Sequence, residues 1–216
     1  FKPLNKVHVD MVRCAKPQFM ETAGVTEDSV VMLAEITMSE LVSGDSVDDR
    51  DFLARVDLLN AQGATVLVSD YLRYFRLRSW LRRYTQNPIG IVISVRDFDY
   101  LFGAHFYQGL EGGILEAMGK LFSDNTCMYV YPAKVDGELI SLGEVSVPPT
   151  QQHLLAYLLE NQLLVPCRDF VEDNLHISAT QLVEQITRGR GDWEQSVPEA
   201  VADEIRQRRL FGYPGD

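Results

Sequence analysis

Short apolar runs of strand length alternate with segments of helical period over most of this chain. Several runs are rich in β-branched residues, and the segments between them place apolar residues three or four positions apart. Strands that alternate with helices in this way form parallel βαβ units. The predicted strands are Val30–Ile36, Thr65–Val68, Ile89–Val95 and Cys127–Tyr131, and the predicted helical segments are Asp51–Asn60, Tyr71–Tyr84 and the interrupted stretch Asp97–Phe122. The sequence therefore predicts an α/β fold with a mainly parallel sheet flanked by helices, in a Rossmann-like three-layer arrangement.

The two ends of the chain follow other patterns. Val7–Val12 is typical of a strand, and Gly137–Val147 is typical of a hairpin. Beyond the Pro148–Pro149 pair, two helical segments follow capping boxes of the Ser-x-x-Gln/Glu type. The helices predicted there are Gln151–Asn161, Ala179–Arg188 (box Ser178–Gln181) and Val197–Leu210 (box Ser196–Glu199). We therefore expect a sheet domain over residues 1–147 and a helical C-terminal subdomain over residues 148–216.

Composition narrows the classes of protein to which the chain can belong. Its 216 residues carry a net charge of −11, which argues against a nucleic-acid binder because phosphate neutralisation needs a basic face. Apolar runs are too short to span a bilayer, and the three separated cysteines favour reduced thiols in a cytoplasmic protein. The chain begins at Phe1 rather than Met, so we expect it to be a piece of a longer protein.

Polar residues at the ends of the predicted strands form a candidate site for an anionic ligand. The carboxyl ends of parallel strands meet at one edge of a sheet, where α/β folds bind ligands, and a helix N-terminus there attracts anions. The candidate ligand-binding residues at this edge are Thr37, Ser69, Asp70, Arg73 and Arg96. The alternative is that Asp70 is a helix cap, Ser69 a strand terminus and Arg96 an exposed loop residue.

The segment from Arg73 to Arg83 contains five arginines, at positions 73, 76, 78, 82 and 83. At about 100° per residue, an apolar face formed by Tyr74, Leu77, Leu81 and Tyr84 is expected to be buried. The arginines then lie mainly on the solvent side. This favours a basic surface that binds a partner, such as a second copy of the chain, over a nucleotide-backbone patch.

An acidic cluster at Asp45, Asp48, Asp49 and Asp51 has two interpretations, a metal site or the capping of a helix. It lacks the EF-hand spacing, and acids in a first helical turn suit the helix dipole. Capping is therefore preferred. No metal site is predicted, because the histidines and cysteines also lack ligand spacing, and the sequence does not identify a cofactor.

The run from Val30 to Val95 resembles the core of the haloacid dehalogenase-like phosphohydrolases. In that superfamily a strand, a helix and a second strand ending in a hydroxyl residue follow one another, as they do here up to Ser69. The resemblance implies a phosphatase-like fold. The chain offers Glu35-Ile36-Thr37 where the family has an Asp-x-Asp pair, so we expect a degenerate relative without the usual phosphoaspartyl intermediate.

Three stretches are similar to a group of bacterial proteins, of which the chain resembles the C-terminal half. They are Asp51–Asp57, Gly109–Glu116 and Tyr129–Pro132. Members of this group carry the names nicotinate-nucleotide adenylyltransferase and TonB-dependent receptor. The chain has no H-x-G-H motif, which the first name requires, and its alternation of helices and strands does not fit the second.

Three functions are compatible with these observations. The first is binding of a nucleotide or another phosphorylated small molecule at the strand edge. The second is a non-catalytic scaffold or oligomerisation module that uses the arginine-rich helix. The third is a degenerate haloacid dehalogenase-like phosphatase.

Overall fold

The structure is a computed structural model that describes residues 1–38, 42–43, 46–47 and 49–215. It is an α/β protein in which parallel strands are flanked by helices, which confirms the predicted fold class. The helices are α1 (Lys6–Ala23), α2 (Asp49–Ala61), α3 (Tyr74–Leu81), α4 (Phe98–Phe102), α5 (Gly113–Leu121), α6 (Gln152–Glu160), α7 (Ala179–Arg188) and α8 (Glu199–Arg208). The strands are β1 (Leu33–Thr37), β2 (Val42–Ser43), β3 (Ser46–Val47), β4 (Thr65–Ser69), β5 (Ile89–Ser94), β6 (Thr126–Tyr131), β7 (Ala133–Val135), β8 (Glu138–Ile140) and β9 (Leu164–Pro166).

The chain divides into two compact units that are each built from separate stretches of sequence. The first unit is Phe1–Asp10, Ser29–Asp70 and Glu172–Asp216, and the second is Met11–Asp28 and Tyr71–Val171. These limits differ from the predicted division between residues 147 and 148. The difference arises because β9 pairs with β6, so that α6 and β9 belong to the second unit, whereas α7 and α8 belong to the first.

The first unit contains a parallel pair, β1 and β4, in register from Leu33 opposite Thr65 to Thr37 opposite Ser69. The helix α2 connects the two strands, as the sequence predicts. Alternate residues of a strand point to opposite faces, and Ala34 and Ile36 are buried in a core with residues of α2, α7 and α8. The opposite face of β1 carries Leu33, Glu35 and Thr37.

The second unit contains a three-stranded parallel sheet in the order β5-β6-β9. Its central strand β6 is buried on both faces, with Met128, Tyr129, Val130 and Tyr131 each at most 1% exposed. The strands β5 and β6 therefore do not extend the β1-β4 pair among the described residues. The expectation that all four predicted strands end at one shared sheet edge is wrong, because backbone pairing joins β4 to β1 and β5 to β6.

The N-terminal segment is a helix, whereas the sequence analysis expected a strand over Val7–Val12. Asn5 and His8 cap the start of α1 reciprocally. The Asn5 backbone N–H donates to His8 Nδ1 at 3.1 Å, and the His8 backbone N–H donates to Asn5 Oδ1 at 3.2 Å. Such a reciprocal pair satisfies amides that have no partner inside the helix.

The hairpin predicted over Gly137–Val147 lies earlier in the chain. The strands β7 and β8 pair antiparallel around Asp136 and Gly137, whose φ angles are 52° and 86°. An Asp-Gly pair with positive φ at both residues is the usual two-residue hairpin turn. Gly137 is thus in the turn rather than at the start of the hairpin.

The two predicted capping boxes do not form. Ser178 is the N-cap of α7, but its side chain makes no capping hydrogen bond, and the N-cap of α8 is Pro198 rather than Ser196. The bounds of α7 agree with the prediction. Among the described residues, no helix is both long and apolar enough to cross a membrane.

Candidate functional site

The carboxyl ends of β1 and β4 bring three polar side chains together. Thr37 and Ser69 are the last residues of their strands and lie opposite each other in the register. Glu35 precedes Thr37 by two positions, so both side chains project from the same face of the strand pair. Thr37 and Ser69 are each 9% exposed, and Glu35 is half-buried.

Both hydroxyl groups donate to the Glu35 carboxylate. Ser69 Oγ lies 2.6 Å from Glu35 Oε1, and Thr37 Oγ1 lies 3.0 Å and 3.1 Å from Glu35 Oε1 and Oε2. Hydrogen bonds to a charged acceptor are stronger than those between neutral groups. The carboxylate therefore links the side chains of two residues on neighbouring strands.

The charge of this cluster is opposite to the one that the sequence analysis expected. A phosphate needs donors or positive charge, whereas the Thr37 and Ser69 hydroxyls donate to a carboxylate. The sequence analysis places Glu35 at the position of the dehalogenase Asp-x-Asp pair and does not include it among the candidate ligand-binding residues. Its two-residue spacing from Thr37 on a strand was the signal that could have added it to the site.

Asp70 is exposed and does not cap the following helix. The helix α3 begins at Tyr74, its N-cap is Arg73, and no side chain makes a capping hydrogen bond there. The prediction of a helix directly after Ser69-Asp70 is therefore wrong. The helix amides that were expected beside Ser69 belong to the second unit.

Arg73 and Arg96 also belong to the second unit, where each has partners of its own. The Arg73 guanidinium lies 3.8 Å from the centroid of the Phe106 ring, in a cation–π contact. Arg96 is exposed and donates to the carbonyl oxygen of Lys134. Of the predicted site residues, the first unit thus groups Thr37 and Ser69 with Glu35.

The arginine-rich helix is partly an internal structure rather than a basic surface. Arg78 is 4% exposed and donates from Nε to Thr126 Oγ1 at 3.2 Å. Arg82 donates to the Asn87 carbonyl oxygen at 2.8 Å and to the Asp124 carbonyl oxygen. Burial lowers the pKa of Arg82, and the neighbouring positive charge of Arg78 lowers it further. These two guanidinium groups hold the loop before β6 in place.

The face of α3 that was expected to be buried is also different. The buried residues of this helix are Phe75 and Arg78, and Tyr84, which was assigned to the buried face, is 73% exposed. Tyr74, Leu77 and Leu81 are half-buried, and Tyr74 packs against the core of the second unit. Tyr84 lies beyond the end of α3 at Leu81, so the helical period does not continue to it.

Metal binding finds no support among the described residues, where no group of three or more His, Cys, Asp or Glu side chains is arranged to hold an ion. Of the acidic cluster, Asp49 and Asp51 lie in the first turn of α2, and Asp51 forms an ion pair with the buried Arg55. Asp45 and Asp48 lie outside the described residues. Cys14, Cys127 and Cys167 form no disulfide.

No known protein family has a model that matches this chain, and no curated protein is significantly similar to it. The resemblances to dehalogenase-like enzymes and to the bacterial group therefore stay predictions.

Proposed function

We propose that the first unit binds a nucleotide or another phosphorylated small molecule, and that the β1-β4 edge holds the hydroxyl groups of this ligand rather than its phosphate. The observation that supports the proposal is the convergence of the Thr37 and Ser69 hydroxyls on the Glu35 carboxylate. The cluster lies at the carboxyl ends of two parallel strands, where α/β proteins bind their ligands.

The chemistry of the cluster favours the hydroxylated part of such a ligand. A carboxylate repels a phosphate but accepts hydrogen bonds from hydroxyl groups, and dinucleotide-binding folds use an acidic side chain at this edge for ribose hydroxyls. The backbone register holds Thr37 opposite Ser69. The Glu35 carboxylate and the two hydroxyl groups are therefore already oriented before a ligand binds.

The test compares ligands that differ in one hydroxyl group. ATP and ribose 5-phosphate are expected to raise the melting temperature in a thermal-shift assay, because a ligand that binds the native state stabilises it. Their 2′-deoxy counterparts are expected to raise it less. The Glu35→Gln variant should lose most of the shift, whereas Glu199→Gln, at an exposed position of α8, should keep it.

Two results would contradict this function. One is the absence of stabilisation by every nucleotide and sugar phosphate in the panel. The other is a ligand-induced shift that is the same in the parent, Glu35→Gln and Ser69→Ala proteins.

An oligomerisation module is the second candidate, and exposed apolar residues around α3 favour it. Tyr84 is 73% exposed and packs on Trp80 with ring centroids 5.0 Å apart, and Leu72 is 54% exposed. Aromatic residues are enriched at protein interfaces. Light scattering should then detect a dimer that Tyr84→Ser weakens, and a strictly monomeric parent at every concentration would rule it out.

A further inference from the structure

A cavity of about 320 Å³ lies within the second unit, between α1 and the segment that follows β9. It opens at the carboxyl end of a strand in a parallel sheet, which is where such sheets bind ligands. The residues that line it are Arg13, Cys14, Pro17, Gln18 and Glu21 of α1, with Arg168 and Asp169 after β9. It lies apart in sequence from the Glu35 cluster, and its interpretation does not depend on that proposal.

The floor of this cavity is fixed by Gln18, which is 6% exposed. Its Nε2 donates to the Pro166 carbonyl oxygen at 3.1 Å, and its Oε1 accepts from the Arg168 backbone N–H at 2.8 Å. A buried amide with both ends bonded to one backbone segment holds that segment against the helix. The two walls of the cavity therefore keep their separation, which reduces the entropic cost of binding a ligand.

The rim of the cavity carries both signs of charge. Arg168 Nη2 lies 3.1 Å from Glu21 Oε2, and these side chains are 63% and 75% exposed. An ion pair exposed to this extent contributes little to stability. Breaking it so that Arg168 and Glu21 contact a ligand instead therefore costs little free energy. Arg13 donates to the Asp169 carbonyl oxygen and, at 3.5 Å, to Cys14 Sγ.

We propose that this cavity binds a small zwitterion of amino-acid size. The Arg168 guanidinium presents a planar set of donors that matches a carboxylate, and the Glu21 carboxylate accepts from an ammonium group. A simple anion meets repulsion from the carboxylates of Glu21 and Asp169, and a simple cation meets repulsion from the two arginines. The volume lies at the lower end of the range for ligand cavities, which suits a molecule of this size.

The experiment is calorimetric titration of the whole chain with the L-amino acids, one at a time. Acetate and methylamine serve as probes that carry one of the two charges. We expect at least one amino acid to bind at millimolar concentration or below, and acetate and methylamine to bind about tenfold more weakly or not at all. Amide chemical shifts should change at Cys14, Gln18 and Arg168.

Variants then test the two charged groups separately. Arg168→Gln and Glu21→Gln should each weaken binding about tenfold or more, because each removes one charge-assisted contact. Arg83→Gln, at an exposed position in the same unit, should bind as the parent does. The side chains of Arg168 and Glu21 are exposed, and the backbone contact of Arg168 with Gln18 survives, so circular dichroism should be unchanged.

Three results would overturn the assignment. The first is that no amino acid binds at millimolar concentration. The second is binding that neither variant changes, or chemical-shift changes confined to other parts of the chain. The third is acetate binding as tightly as the amino acid with no effect of Glu21→Gln, which would make the cavity a site for simple anions.

Discussion

Arg78 shows how the same residue type can have opposite roles on one short helix. Arg78 is 4% exposed and bonds to Thr126 and to the carbonyl oxygen of Ser123, whereas Arg76, two residues earlier, is exposed. A guanidinium group has five donors, and burial without partners is costly. Arg78 is therefore a structural residue, although composition alone places it with a basic surface.

Replacing Arg78 by Met should destabilise the protein by about 2 kcal/mol, because hydrogen bonds from a charged donor are lost and buried acceptors are left without it. Arg76→Met on the same helix should change the free energy of unfolding by less than about 0.5 kcal/mol. Urea unfolding measures both. Equal losses in the two variants would contradict the internal role of Arg78.

His8 should make stability depend on pH. Burial lowers its pKa to about 3 from an ordinary value of 6.5, and the bond that Nδ1 accepts from the Asn5 amide requires the neutral ring. Protons then bind the unfolded chain more readily than the folded one. Stability from this group is present above about pH 6.5 and is lost progressively as the pH falls toward 3.

A comparison of variants isolates this effect. Glutamine at the third helical position can still accept the capping bond, so His8→Gln should reduce the loss of stability between about pH 7.5 and pH 5.5, a range above the pKa of most carboxylates. His153→Gln, at an exposed position, should retain the parent's slope. An unchanged slope in His8→Gln would show that His8 is not the titrating group.

At the scale of elements, Gln18 connects a helix to the end of a strand. Its side-chain amide bonds to the backbone on both sides of Cys167. Contacts of this kind join α1 to β9 across a long separation in sequence. The position of α1 on this sheet therefore depends on one buried polar side chain as well as on apolar packing.

The Gln18→Leu variant should lose about 1–3 kcal/mol of stability, because the Pro166 carbonyl and the Arg168 amide are left without a partner. Gln207→Leu, on an exposed face of α8, should stay within about 0.5 kcal/mol of the parent. Chemical denaturation measures the difference. The same small change in both proteins would show that Gln18 does not fix the strand end.

Local sequence patterns correctly predicted the helices and strands that depend mainly on residues close together in the chain. Ile89–Ser94 and Ala179–Arg188 were predicted almost to the residue, because β-branched runs and helical periods are local properties. The strand β9 was missed since it has three residues and depends on pairing with β6. Thr37 and Ser69 were predicted as site residues because they lie at the ends of strands. The pairing of the strands, however, depends on contacts between distant parts of the chain, which local patterns do not contain.

At the scale of the whole molecule, each unit has its own apolar core. Ile205 belongs to the core of the first unit and Leu101 to that of the second, and both are fully buried. Close packing makes each core sensitive to the loss of a side chain. Damage to one core should therefore be felt mainly inside its own unit.

Hydrogen exchange can test this separation. Ile205→Ala and Leu101→Ala should each cost about 2–5 kcal/mol. The first variant should lose amide protection mainly in β1 and β4, and the second mainly in β5 and β6. A uniform loss over both units in either variant would show that the chain unfolds as one cooperative body.

The division of the chain has a consequence for the order of events during synthesis. The second unit is complete once the ribosome has made Val171, but the first also needs Glu172–Asp216, which supplies Val201 and Ile205 to its core. Domains generally fold as their sequence emerges. The β1-β4 pair, although translated before most of the second unit, cannot complete its core until residues 172–216 have been made, so of the two units the one that begins first is completed second.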